Sequence, residues 1–204
     1  MLGLSNNRIG HRGAAALGEA LADKKHIEKI GLESNGIGAD GVKSLSNALA
    51  NNQSLKELYL YNNSLGAKGL EYLSDLISGK PNLTVLGLES NGFEDNAEGW
   101  PTFADHCAML PSLEKIYLSK NLISERAAIE LGKFIERSTS IRELHLENNK
   151  LSDRGSIELS YGISFNRSLK SLFLSNNNIE NNDGCRRIVE ALKHHEAIQE
   201  VDVS

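Results

Sequence analysis

Five rings and five carboxylates recur in this sequence at matched intervals, and they are the residues best suited to chemistry. Tyr59, Tyr117, His145 and Phe173 stand at one phase of a repeating unit, and Tyr61 stands two residues after Tyr59. Glu33, Glu89 and Glu147 share the phase of Tyr61, while Glu57 and Glu143 stand two residues before Tyr59 and His145. Aromatic residues make up only 5% of the chain, so their concentration at two phases carries information. Exposed aromatics ringed by charge have the composition of an interface, and carboxylates draw in a basic partner. This is the chemistry of recognition. It does not suit general acid–base catalysis, which needs a desolvated group of shifted pKa. Glu57, Glu89 and Glu143 fall in separate units, on what reads as an open surface with nothing to desolvate them.

Other groups of reactive type are weaker candidates. His106 and Cys107 are adjacent, so on a helix they point about 100° apart, and no second Cys/His pair is spaced to complete a zinc site. Cys107 falls in a column otherwise held by Leu21, Leu49, Ile77, Ile135, Ile163 and Leu192, which makes it a small buried hydrophobe. Glu94, Asp95 and Glu98 lack the spacing of a calcium loop. Gly36, Gly38 and Gly41 lack the Gly-Lys-Ser/Thr ending of a phosphate loop. His194 and His195 read as a polar helix end. No metal or cofactor is expected. Asn-x-Ser/Thr triplets at Asn52, Asn62, Asn82 and Asn166 read as turn chemistry.

The elements that must position these residues are set by one period. Leu4, Leu32, Leu60, Leu88, Leu118, Leu146, Leu174 and Val203 are separated by 28, 28, 28, 30, 28, 28 and 29 residues. An apolar residue stands two before each, and an asparagine stands three after each of the first seven: Asn7, Asn35, Asn63, Asn91, Asn121, Asn149 and Asn177. The alternating Leu-x-Leu core predicts a short strand with its leucines on one side. The asparagine follows where the chain must turn, and its amide can serve backbone groups of its own coil and the next. The second half of each unit switches to helical spacing, as in Gly41, Leu45 and Leu49 or Gly155, Leu159 and Ile163. No such unit buries its own apolar side, so the units must stack as a solenoid.

The unit L-x-x-L-x-L-x-x-N-x-I/L, continued by G-x-x-x-L-x-x-x-L at 28 residues, resembles the ribonuclease-inhibitor-like class of leucine-rich repeats. That class includes ribonuclease inhibitor, Ran GTPase-activating protein and the repeats of NOD-like receptors. The resemblance implies an α/β right-handed solenoid, a horseshoe with a parallel sheet on the concave face and helices on the convex face. It covers residues 1–204 as one domain of about seven repeats plus a terminal strand. Both ends fall in mid-unit, so a chain truncated at both ends is expected, with self-association through the uncapped ends as the alternative.

On that fold the concave columns follow. One reads Gly3, Gly31, Tyr59, Gly87, Tyr117, His145, Phe173 and Asp202; the other reads Ser5, Glu33, Tyr61, Glu89, Ser119, Glu147, Ser175 and Ser204. Rings set among charges have the composition of an interface centre. The expected function is a non-enzymatic scaffold that binds a protein of basic surface on this acidic, aromatic face. The resemblance leaves two alternatives: a GTPase-activating or other enzyme-regulating protein, or the sensing repeats of a larger receptor. No catalytic position of the former can be matched here. The irregular fourth unit, Glu94 to Trp100, is a further candidate contact.

A net charge of −5 disfavours nucleic acid. There is no apolar run of membrane-spanning length, and Met1 to Arg12 lacks a signal pattern. Two cysteines without disulfide-bonded caps fit a reducing, cytoplasmic setting.

Overall fold

The computed structural model describes residues 1–95, 98–179, 183–193 and 195–203. Strands and helices alternate throughout. They are β1 (Leu2–Gly3), α1 (Gly10–Leu21), β2 (Lys29–Gly31), α2 (Gly38–Leu49), β3 (Glu57–Tyr59), α3 (Gly66–Ile77), β4 (Val85–Gly87) and α4 (Gly99–Met109). Then follow β5 (Lys115–Tyr117), α5 (Glu125–Arg137), β6 (Glu143–His145), α6 (Ser152–Phe165), β7 (Ser171–Phe173), α7 (Asp183–Lys193) and β8 (Glu200–Asp202). The eight strands form one parallel sheet in sequence order. Ile30, Leu58, Leu86, Ile116, Leu144, Leu172 and Val201 pair across it in unbroken register. This is the leucine-rich-repeat α/β solenoid that the 28-residue period implies.

The core lies between sheet and helices. Leu58, Leu60, Leu65, Leu73 and Ile77 of one unit are all buried, and their counterparts in neighbouring units continue the layer. Cys107 is fully buried in the helical column, and burial pushes its thiol well above the usual range.

The asparagine column is a continuous ladder. Asn121 donates its amide to the carbonyls of Leu118 (2.8 Å), Leu88 (3.2 Å) and Ser119 (3.3 Å). Its side-chain oxygen accepts the N–H groups of Asn91 (3.0 Å) and Phe93 (3.2 Å) in the preceding coil. Asn35, Asn63, Asn91 and Asn149 repeat the pattern. One side chain thus serves several backbone groups that neither sheet nor helix reaches. The residue before each ladder asparagine is left-handed, and Asn6, Ser34, Asn62, Ser90, Lys120, Asn148 and Asn176 all have φ between 53° and 62°.

The fourth unit departs from expectation. Trp100 is 1% exposed, its ring meets Phe93 and Phe103 edge-on, and its indole N–H donates to the Glu94 carbonyl at 2.8 Å. The Asp95 carboxylate accepts the N–H groups of Ser124 and Ala127, capping α5 of the next coil. Glu94 bridges to Leu122. The described part of this insertion is therefore fastened to the core, because its apolar residues outweigh its charges in burial. Asn96 and Ala97 lie outside the described residues, as do Glu180, Asn181, Asn182, His194 and Ser204.

His195 is not a solvated helix end. It is 5% exposed, and its Nδ1 accepts the Ile198 N–H at 3.1 Å. It closes a second buried column that periodicity did not single out. Asn52 accepts the N–H of Leu55 and donates to the carbonyls of Lys24 and Ile27. Asn166 does the same with Leu169, Ile135 and Ser138, and the Ser138 hydroxyl oxygen accepts from Ile141. Lys80 stands at this phase too, 1% exposed, with its ammonium 3.3 Å from the Ala50 carbonyl. Burial lowers its pKa. Asn52 and Asn166 are thus turn residues closed to solvent, whereas Asn62 and Asn82 are exposed.

Candidate functional site

Parallel pairing brings the predicted rings into one row. Gly31 pairs with Tyr59, Tyr59 with Gly87, Gly87 with Tyr117, Tyr117 with His145, and His145 with Phe173. Adjacent strands are about 4.8 Å apart, which is a stacking distance for flat side chains. His145 takes it up fully. Its ring stacks on Tyr117 at 4.5 Å and on Phe173 at 4.3 Å between centroids, with interplanar angles of 25° and 13°.

Gly87 would break the row, and Tyr61 repairs it. The phenol end of Tyr61 lies over Gly87, in the space that a Cβ there would fill. From that position its ring meets Tyr117 edge-on at 6.2 Å and Tyr59 at 5.7 Å. The five rings therefore form one chain of contacts from β3 to β7, all half-buried. Gly31 plays a lesser part of the same kind, with the Glu33 carboxylate lying over it. Sequence columns placed the rings on one face. That Tyr61 crosses to the next coil follows from the missing side chain at Gly87.

The carboxylates are more engaged than composition implies. Glu57 receives Lys29 at 2.6 Å and the Tyr59 hydroxyl at 2.9 Å, which together hold its carboxyl below the usual range. Burial and this same bond push the Tyr59 phenol up to about 12. Glu143 receives Lys115 at 2.7 Å, His145 Nε2 at 2.8 Å and the Tyr117 hydroxyl at 3.2 Å. Burial raises its carboxyl, but the bonds from Lys115 and His145 outweigh this and leave it lowered. Glu147 pairs with His145 Nδ1 at 3.1 Å and accepts from the Ser119 hydroxyl. Glu33 accepts from Ser5.

Glu89 differs. Among the described residues its carboxylate has no hydrogen-bond or ion-pair partner. Burial raises its pKa, aided by Glu147 and opposed by His145 and Lys120. The expectation that nothing desolvates these carboxylates is thus corrected. Burial on this face removes water from Glu89 and Glu143, a packing effect that composition does not reveal. Burial and the Glu89 charge in turn raise the Tyr61 phenol.

Ser119, Glu147 and His145 do not form a nucleophile–base pair. The hydroxyl donates to the carboxylate, and both histidine nitrogens face glutamates. Nucleophilic catalysis needs the base on the hydroxyl. Among the described residues there is no cluster of three or more His, Cys, Asp or Glu suited to a metal. Among them, too, no helix is long and apolar enough to cross a membrane.

Comparison with known proteins supports the repeat reading. A family model described as Leucine Rich repeat matches residues 24–46, 51–74 and 137–160, and one described as Leucine Rich Repeat matches 168–191. No curated protein sequence matches the chain. Solved structures share the fold, these two among them. One is titled "Leiomodin-1 Actin-Binding Site 2 (ABS2)", with TM-score 0.53 and 13% identity over 81% of this chain and 78% of that one. The other is a tropomodulin C-terminal domain from Caenorhabditis elegans, with TM-score 0.53 and 16% identity over 88% of this chain and 91% of that one.

Proposed function

We propose that this solenoid is a non-enzymatic scaffold whose concave face binds a protein partner, with Tyr59, Tyr61, Tyr117, His145 and Phe173 as its contact row. The observation that carries this is the unbroken chain of ring contacts across β3 to β7. Rings fixed by one another lose little further freedom on binding, so their area converts efficiently into affinity. Such fixed, half-buried aromatics have the character of interface hot spots.

Charge plays a narrower part than composition suggests. Glu57 and Glu143 are largely neutralised locally by Lys29 and Lys115. The residual negative charge, −5 over the chain, favours approach by a basic surface. Glu57, Glu143 and Glu147 serve mainly to orient the row, and Glu33 is held by Ser5 over Gly31.

The test is affinity capture from cell extract with the unmodified chain and with Tyr117→Ala/Phe173→Ala. Both chains are first checked for folding by far-UV circular dichroism. A protein held by the unmodified chain alone is then titrated, purified, against both. At least tenfold weaker binding by the double variant is expected; equal binding places the contact elsewhere. The likeness to the leiomodin-1 structure is one of fold, so purified actin enters as a partner to be assayed by co-sedimentation.

A further inference from the structure

Of the five carboxylates set around the ring row, one finds no partner among the described residues. Glu33, Glu57, Glu143 and Glu147 each hold at least one bond from a neighbouring side chain. Among the described residues, Glu89 holds none. Its column neighbour Ser119 turns its hydroxyl away, toward Glu147. His145 and Lys120 act on its charge through space, but His145 bonds Glu143 and Glu147, and Lys120 is exposed and forms no bond to it. Glu89 follows the strand that carries Gly87, so it lies beside the phenol end of Tyr61 where that ring meets Tyr117. A half-buried, unpaired carboxylate is costly to keep, and a cation brought to it recovers that cost.

The surroundings select among cations. An ammonium is a compact, strongly hydrated point charge, and besides Glu89 the flanking tyrosines offer only their phenol oxygens to replace its water. A guanidinium is planar and weakly hydrated. It can give two parallel N–H groups to one carboxylate while its face rests on an aromatic ring. We propose that Glu89, with the rings of Tyr61 and Tyr117, is the seat for an arginine side chain of the partner. This rests on the concave-face reading above and makes it specific: the partner segment crossing β4 presents arginine at that point.

The probe is N-acetyl-arginine methylamide, titrated into the 15N-labelled chain and followed by amide chemical shifts. N-acetyl-citrulline methylamide, the neutral isostere, and N-acetyl-lysine methylamide are the controls. Saturable shifts at Tyr61, Gly87, Glu89 and Tyr117 are expected with arginine. They should be absent with citrulline, severalfold weaker with lysine, and at least tenfold weaker in Glu89→Gln. That variant removes an unpaired charge, so it should fold as well as the parent. Shifts that are absent, diffuse and non-saturating, or unchanged in Glu89→Gln would overturn the proposal. A captured partner separates the two readings. If Tyr117→Ala/Phe173→Ala loses it and Glu89→Gln keeps it undiminished, the face stands and the arginine seat falls. If the ring variant keeps it, the face reading itself falls.

Discussion

The phenol end of Tyr61 occupies the space above Gly87 that any other residue would fill with its own side chain. The two belong to successive coils, and their contact alone carries the ring row past β4. Gly87→Ala should swing Tyr61 off Tyr117. Losing that edge contact costs ~0.5–1.5 kcal/mol, and the less flexible unfolded chain returns ~0.4–1 kcal/mol. The expected net change in stability is therefore small, with a clear change in near-UV circular dichroism and weaker partner binding. An unaltered near-UV spectrum would contradict the bridging role.

Asn121→Ala leaves the buried N–H groups of Asn91 and Phe93 without their acceptor and weakens the bonding of the Leu88, Leu118 and Ser119 carbonyls, which keep bonds from Asn91, Asn149 and Ser90. Each unsatisfied group costs ~1–3 kcal/mol before relaxation, so a loss of about 3 kcal/mol or more is expected in urea unfolding. Asn7→Ala is the control. Asn7 is exposed at the first coil, where water can replace its bonds to Leu4 and Ser5. A change of well under 1 kcal/mol is expected there.

The second column makes a separate claim. Asn166→Ala removes acceptors from Ser168 and Leu169 and a donor from Ser138, all buried in loops, and from Ile135 in the last turn of α5. A destabilisation of about 2–3 kcal/mol is expected. An indistinguishable midpoint would reduce this column to a coincidence of spacing.

Gly162 and Gly132 bring α6 and α5 together backbone to backbone, and a Cβ on Gly162 would overlap the Gly132 carbonyl. Neither backbone can yield without moving its helix. Gly162→Ala should cost ~1–3 kcal/mol by overpacking. Gly155, in the same helix, has ordinary clearance of 3.4 Å to Ala128. Gly155→Ala should be neutral or stabilising by up to about 1 kcal/mol. Thermal melts of the pair decide it.

Acid should act with opposite signs at different residues. The Glu57 and Glu143 carboxyls are lowered from 4.5, so their stabilisation is complete above about that pH and is lost as pH falls through their folded values. His195, lowered from 6.5 by burial, is held neutral. The unfolded chain gains its proton first, so stability also declines as pH drops below about 6.5. Glu89 is raised from 4.5, so its ionisation opposes folding above that pH. Glu89→Gln should then raise the melting midpoint at pH 7, with the gain vanishing near pH 4. A constant difference across that range would show that the Glu89 charge is not the cause.

Much of the fold was legible because the signals repeat. A single Asn148–Asn149 turn is ambiguous, but seven asparagines in step identify a ladder, and the ladder is what the structure contains. Asn52, Ser138, Asn166 and His195 were not legible as one column. Three residue types perform one task there at four positions, accepting the N–H three residues ahead, and sequence comparison sees type before task. Trp100 misled for the opposite reason. A lone ring in an irregular loop reads as a surface feature until Phe93 and Phe103 are seen to enclose it.

The sequence by itself determined the coil, its period, the strand faces, and the gathering of rings and carboxylates on one side. Those properties follow from residue spacing along a chain whose geometry has period two in strands and 3.6 in helices. Only the tertiary structure decided which charges are spent and which remain. That depends on distances between residues 26 or 28 apart: Lys115 against Glu143, Ser119 against Glu147, and Tyr61 across Gly87. Spacing places such residues in neighbouring coils. Packing alone settles which atoms meet, and among the described residues it leaves Glu89 half-buried with no partner.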